Sequence, residues 1–230
     1  MTVHGKYRLA LLGQGNGVPL RGVIFDMDGT LTKPQTWMFA EMRKQLSVPD
    51  GVVILDYLLD IPDGPLREEA EGKILAIEER AMHEQEPTLG LKELFLNLRT
   101  CNVKTSICTK NVAKPVDAFC SKFLKDRELV TGPIITRNFY PPKPSPKPLL
   151  HIIDSWGVSP HQVLMVGDSR EDMQAGLEAG CAVVLLRHED NGDSEAAFAV
   201  EGSKSKLDGI VTDFFELYKL LQDGIVVDRI

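Results

Sequence analysis

Asp26 and Asp28 stand one residue apart where the apolar run Val23-Ile24-Phe25 stops, and Gly29 follows at once. Two carboxyl groups this close repel each other unless one is protonated or a cation lies between them. A divalent ion relieves that repulsion, and Mg2+ favours a few carboxylates together with phosphate oxygens. A plain turn would also use Asp and Gly. A calcium loop of the EF-hand type would need further oxygen ligands, a later glycine and a preceding helix, none of which the segment has.

Three further segments carry reactive side chains at similar junctions. Ser106-Ile107-Cys108-Thr109 ends an apolar stretch in a hydroxyl, which with neighbouring backbone N–H groups can hold phosphate oxygens, or can simply cap a helix. In Lys143-Pro144-Ser145-Pro146 the prolines restrict where the ammonium can point. Lys114 and Lys147 also precede prolines and are its rivals. Val163-Leu164-Met165-Val166-Gly167-Asp168 delivers a third aspartate at the end of an apolar run, and Asp172 follows four residues later. If a helix starts at Ser169, Asp172 lies one turn on, beside Asp168. Ser169 and Asp172 would equally serve as a helix N-terminus.

Together these segments resemble the four motifs of the haloacid dehalogenase-like (HAD) superfamily in its phosphatase form, with phosphoglycolate phosphatases among the members it is similar to. Asp26-Met27-Asp28-Gly29-Thr30 resembles the first motif, Thr109 the second, Lys143-Pro144-Ser145-Pro146 the third, and Gly167-Asp168-Ser169 with Asp172 the fourth. Relatives often have Asn directly after the Thr; here Lys110 intervenes before Asn111. The resemblance implies that Asp26 is the nucleophile and Asp28 the acid–base. It implies that Thr109 and Lys143 bind the substrate phosphate. Mg2+ would be held by Asp26, Asp28 (through its backbone carbonyl) and Asp168, with Asp172 supporting the site. The substrate would be a small phosphorylated metabolite. A sugar phosphomutase of the same superfamily and a noncatalytic phosphate-binding protein remain alternatives. Phosphonate cleavage would require a Schiff-base lysine, and Lys44 and Lys73 have no supporting motif.

The elements that must position these groups are legible as well. Val23–Phe25, 103–109, 130–136, 162–167 and 181–186 read as strands, and Ile210-Val211 as one more. Helices are expected over 89–98, 112–124, 149–156, 171–179 and 214–221. This alternation predicts an α/β fold, a doubly wound parallel sheet with helices on both faces. Residues 33–87 show only helical patterns, at 36–46, 52–59 and 65–85, broken at Val48-Pro49-Asp50-Gly51 and Ile61-Pro62-Asp63-Gly64. They read as a small all-helical cap inserted after the first catalytic strand, within a core of residues 1–32 and 88–230. His83 and Trp37, inside it, read as packing or surface groups. Residues 1–20 read as a flexible lead-in. Their Gly13-Gln14-Gly15-Asn16-Gly17 lacks the third glycine and following helix of a dinucleotide loop, since Val18 and Pro19 come next. Residues 190–206 read as a surface loop or weak helix.

Composition narrows the setting. With 230 residues, 43% of them hydrophobic, the chain can build one large domain or a core with an insert. A formal charge of −7 disfavours nucleic acid as a partner. No apolar run approaches the roughly 20 residues that cross a bilayer, so no membrane association is expected. The four cysteines form no Cys-x-x-Cys pair and read as reduced thiols of a cytoplasmic protein. The stretch Leu9–Leu12 is too short for a signal peptide. Oligomeric state is left open.

Overall fold

A computed structural model describes residues 5–11, 17–52, 54–125, 128–198 and 207–229. In chain order the strands are β1 (Gly5–Ala10), β2 (Val18–Pro19), β3 (Gly22–Phe25), β4 (Lys104–Cys108), β5 (Ile134–Ile135), β6 (Val163–Gly167), β7 (Ala182–Leu186), β8 (Gly209–Val211) and β9 (Ile225–Arg229). The helices are α1 (Trp37–Leu46), α2 (Ile54–Asp60), α3 (Pro65–His83), α4 (Leu91–Thr100), α5 (Ala113–Phe123), α6 (Lys147–Trp156), α7 (Arg170–Ala179), α8 (Gly192–Ala196) and α9 (Phe214–Asp223). The chain divides into two compact units, 1–33 with 87–230, and 34–86.

The larger unit is built on a six-stranded sheet of order β5-β4-β3-β6-β7-β8, and every pairing in it is parallel. Strands β3, β6 and β7 are buried along their whole length, as near-continuous apolar strands of a doubly covered parallel sheet must be. Successive side chains alternate between faces. Val23 and Phe25 join the core under α4, α5 and α9, among Phe95, Phe119 and Phe214. Ile24 joins the opposite core with Leu149, Ile152 and Met173 of α6 and α7. The predicted doubly wound α/β fold is the observed one.

Register is what matters for the site. Phe25 lies level with Ile107 of β4 and with Val166 of β6. The residues just past that row, Asp26, Cys108-Thr109 and Gly167-Asp168, therefore emerge together at the carboxyl edge of the sheet. The strand order also reverses here. The chain steps from β3 outward to β4 and β5, then returns to β6 on the other side. Open α/β sheets bind ligands in the crevice at such a reversal.

Three expectations need correction. Residues 1–20 are not simply a lead-in: β1 pairs with β2 and, antiparallel, with β9 in a separate three-stranded sheet. Leu9, Ile225 and Val227 of that sheet are buried in the same core as Phe25. β9 was not expected at all; it is five residues long and its partner lies at the other end of the chain. The glycine run at 13–16 lies outside the described residues. The strand expected over 130–136 shrinks to Ile134-Ile135, because Pro133 has no N–H to give a ladder. Gly132 still donates to Thr105 O at 2.8 Å.

The smaller unit contains α1, α2 and α3. Met42, Ile74 and Ile77 form its centre, with Trp37, Met38, Leu46, Ile54 and Leu58 packed against them. The Arg80 guanidinium lies 4.0 Å from the centre of the Trp37 ring, so Trp37 is a packing group, as expected. Among the described residues no helix is long and apolar enough to cross a membrane.

Phe25 ties the carboxyl edge of the sheet to the core. It is fully buried, stacks on Phe95 at 5.1 Å between ring centroids and meets Phe214 edge-on at 5.8 Å. Phe25→Ala is expected to destabilise the protein by about 3–5 kcal/mol, read as a shift of the urea midpoint at constant slope. A shift below about 1 kcal/mol would contradict this account of the core.

Candidate active site

The loop after β3 places the first two aspartates. Asp26 extends the strand by one hydrogen bond, its N–H donating to Val166 O at 2.9 Å. The chain then turns, with the N–H groups of Thr30 and Thr32 both donating to Met27 O at 3.2 and 2.9 Å. Gly29 takes φ +74°, and a Cβ there would lie 2.2 Å from Asp168 Oδ2. Only glycine supplies both that conformation and that clearance. The turn is secured by the chain that resumes at residue 87: Thr88 Oγ1 donates to Thr30 O at 2.5 Å, its N–H to Leu31 O at 2.9 Å, and Thr32 pairs with Pro87.

Lys143 is the charge centre. Its side chain is 4% exposed. The ammonium donates to Asp26 Oδ1 and to Cys108 O, each at 2.6 Å, and lies 2.5 Å from Asp172 Oδ1. Its rival Lys147 sits exposed at the start of α6. Burial alone would lower the pKa of Lys143, but the carboxylates of Asp172 and Asp26 outweigh it and hold the ammonium well above its usual range.

Asp172 performs two tasks. Its Oδ2 accepts from the Ser169 hydroxyl at 2.5 Å and the Ser169 N–H at 3.1 Å, while its own N–H donates to Ser169 Oγ at 3.2 Å. This capping box starts α7 and leaves Oδ1 for Lys143. Gly167 makes the fold-back possible, since a Cβ there would meet Asp172 Cβ at 2.4 Å.

Thr109 is 4% exposed at the end of β4. Its N–H donates to Ile135 O at 2.9 Å, and its Oγ1 accepts the N–H of Asn111 at 3.1 Å. With that lone pair engaged, the hydroxyl proton is free to be donated. Lys110, which carried no expected role, ion-pairs with Glu171.

Asp168 has a support that sequence reading missed. His188 Nε2 lies 2.9 Å from Asp168 Oδ2, and Asn191 Nδ2 donates to Asp168 O at 2.9 Å and to Leu186 O at 2.8 Å. The Asp190 N–H donates to His188 Nδ1 at 3.2 Å. That bond requires an unprotonated Nδ1, so Nε2 carries the hydrogen and donates to the carboxylate. Asn191 falls in the stretch read as a surface loop, yet it is 6% exposed. The one available signal was a His and an Asn just past the strand end of β7.

Carboxylate oxygens of Asp26, Asp168 and Asp172 lie within 4.8 Å of one another. Two oxygens trans across one Mg2+ are about 4.2 Å apart, so small side-chain adjustments suffice for a shared ion. Both oxygens of Asp172 are already engaged, which leaves Asp26 and Asp168 as the carboxylates best fitted to hold a metal. Hard oxygen donors of this kind suit Mg2+. Charge points the same way. Burial raises the pKa of Asp26 well above the carboxylate range, and although Lys143 opposes this, Asp172, Asp168 and Asp28 add to it. Solvent reaches Asp28, but desolvation in the crowded crevice and the Asp168 charge still lift its carboxyl to about 6. Asp168 is raised mainly by burial, against the hydrogen bond from His188. One ammonium does not neutralise these four acids, and a divalent cation would offset most of the remaining charge. Cys108 is no rival nucleophile, because burial pushes its thiol up to about 12.

Two measurements test this electrostatic picture. Lys143→Ala strands two buried carboxyl groups, and the expected loss is about 3–5 kcal/mol. The double variant Lys143→Ala/Asp172→Asn should cost clearly less than the sum of its two single variants, and a fully additive cycle would contradict the buried pair. Second, acids whose folded pKa is raised stabilise the fold as they take up protons, and that contribution is lost as pH rises from 3.8 to about 6 for Asp28. Metal-free protein should therefore lose Tm between about pH 4 and 6.5, by no more than the few degrees that about 1 kcal/mol produces at this size, because solvent screens a carboxyl as exposed as Asp28. Mg2+ should restore it at pH 8, and Asp28→Asn should flatten the slope. A metal-free Tm that rises over this window would refute the picture.

Comparison with known proteins agrees with this arrangement. The haloacid dehalogenase-like hydrolase pattern matches residues 20–180. An uncharacterized hydrolase of Saccharomyces cerevisiae is 37% identical over 205 residues, covering 89% of this chain and 92% of its own. A phosphoglycolate phosphatase of Nitrosospira multiformis is 28% identical, over 89% of this chain and 97% of its own. The crystal structure of a hydrolase from Pseudomonas syringae superposes with a TM-score of 0.67 at 22% identity, covering 88% of this chain and 98% of its own, which speaks to the fold. A match running from the first strand of the sheet through Asp168 and Asp172 reflects common descent, and the chain belongs to the haloacid dehalogenase-like hydrolase family.

Proposed function

We propose that the protein is a Mg2+-dependent hydrolase of small phosphomonoesters that works through a phosphoaspartate on Asp26. The observation that carries this reading is the meeting of buried Asp26, half-buried Asp168 and the buried Lys143 ammonium in one cluster, with Asp28 at its open side. Likeness to a phosphoglycolate phosphatase over nearly the full chain supports the phosphatase class.

In the first step an Asp26 carboxylate oxygen bonds to phosphorus and the ester P–O bond breaks. The bonding pair leaves with the alkoxide, which takes its proton from Asp28. In the second step Asp28 accepts a proton from water, the water oxygen bonds to phosphorus, and the acyl phosphate bond breaks to return Asp26 and phosphate. Lys143 and the Thr109 hydroxyl bind the nonbridging oxygens, where charge must be offset in phosphoryl transfer. Asp26, the Asp28 carbonyl and Asp168 would hold Mg2+, which would supply further charge neutralisation at the phosphate. His188 and Asn191 hold Asp168 in place for that purpose. Asp172 keeps Lys143 aimed at Asp26.

Residues 34–86 fill the role of a helical cap that selects the substrate, and residues 1–33 with 87–230 form the catalytic core. The entry and exit of the insert meet at Thr32 and Pro87, next to the Asp28 turn.

The test is phosphate release from a panel of phosphorylated metabolites. Mg2+-dependent turnover is expected, abolished by EDTA and restored by Mg2+. Asp26→Asn should lower kcat by about 10³-fold or more, and an acid quench should trap phosphate covalently on the wild-type chain. Isomerised sugar phosphate without net phosphate release would instead identify a phosphomutase. An Asp26→Asn variant as active as wild type would overturn the proposal.

A further inference from the structure

Asn111 sits two residues beyond Thr109, outside the positions that the four motifs single out. Its side-chain Nδ2 donates to Asp28 Oδ2 at 2.7 Å. The residue is anchored through its backbone on both sides. Its N–H donates to Thr109 Oγ1 at 3.1 Å, and its carbonyl accepts the N–H of Arg137 at 2.8 Å. Arg137 Nε also donates to Lys110 O at 2.9 Å, and the Lys110 ammonium pairs with Glu171 in the first turn of α7. The amide therefore projects from a segment tied to β4, to the chain after β5, and to α7. Asp28, by contrast, stands on a turn and at its exposed side.

An acid that protonates a departing oxygen works only when its proton points at that oxygen. A carboxyl group on a turn can rotate, and either of its oxygens can carry the proton. An amide N–H can only be donated, so the oxygen it meets must act as acceptor in both charge states of the acid. Turned the other way, the amide carbonyl would face a carboxylate and repel it. The contact to Oδ2 therefore stops the rotation and leaves Oδ1 as the oxygen that carries the proton.

We propose that Asn111 is a positioning residue for Asp28, fixing the carboxyl's rotation and assigning Oδ1 as the proton-transferring oxygen. This rests on the acid–base role given to Asp28 above. It predicts damage confined to esters whose leaving group needs a proton, because nitrophenolate departs unaided and an alkoxide does not.

The experiment compares kcat/KM for 4-nitrophenyl, phenyl and benzyl phosphate in Mg2+ at one fixed pH. Asn111→Ala is expected to lose about 30-fold on benzyl phosphate and less than about 3-fold on 4-nitrophenyl phosphate, with phenyl phosphate between. Asn111→Asp keeps the shape, removes the donor and should show at least as steep a dependence; it carries the test alone if Asn111→Ala fails to fold. Asp28→Asn is the internal reference and should order the three esters in the same way. A loss equal on all three esters, or no loss on benzyl phosphate, would overturn the role of Asn111. If Asp26→Asn and Asp28→Asn are impaired while Asn111 variants show a flat loss, only the Asn111 inference falls. If those two variants match wild type, or wild type turns over none of the esters, the reading of the whole site falls and takes this one with it.

Discussion

A buried ammonium shared between two carboxylates is the constraint on which the rest of the structure depends. Lys143 touches Asp26 Oδ1, Asp172 Oδ1 and Cys108 O, and so binds together the ends of β3 and β4 and the start of α7. Desolvating these charges is costly, and removing any one would leave the others uncompensated. Such a cluster persists only where the surrounding fold holds every partner in place. The parallel register does so, by setting Phe25, Ile107 and Val166 in one row. The two glycines that a Cβ would drive into Asp168 and Asp172 then allow the loops to close around it.

The same cluster explains why acidity and function coincide here. Its net negative charge is what a structural protein would avoid. Several aspartates are held above their ordinary pKa by burial and mutual repulsion, a condition typical of sites tuned for chemistry. Hydrogen bonding distributes distinct tasks among them. Asp172 is consumed by Ser169 and Lys143, Asp168 is buttressed by His188, and Asp28 is met by Asn111.

Much of this was legible in the sequence because the fold is written locally. Apolar runs ending in Asp26, Thr109 and Asp168 mark strand ends, and in a parallel sheet strand ends converge. The helices at 37–46 and 65–83 were legible because no strand pattern interrupts that stretch. What escaped has a common physical origin, which is pairing between distant segments. β9 is five residues long and is defined by β1 at the opposite end of the chain. His188 and Asn191 sit in a polar stretch whose burial is apparent only once β7 lies beside β6. Asn111 comes two residues after Thr109, and its partner Asp28 is 83 residues away.

The insert is joined to the sheet by a narrow stem, with Thr32 against Pro87 and Thr88 bonded back to Thr30 and Leu31. Because both ends of the excursion are already adjacent, lengthening or replacing what lies between them adds only a slowly growing loop-closure cost and leaves the strand register untouched. Such an attachment works as an exchangeable socket. The inserted segment can therefore change in size and surface without disturbing the strand ends that carry Asp26, Thr109 and Asp168.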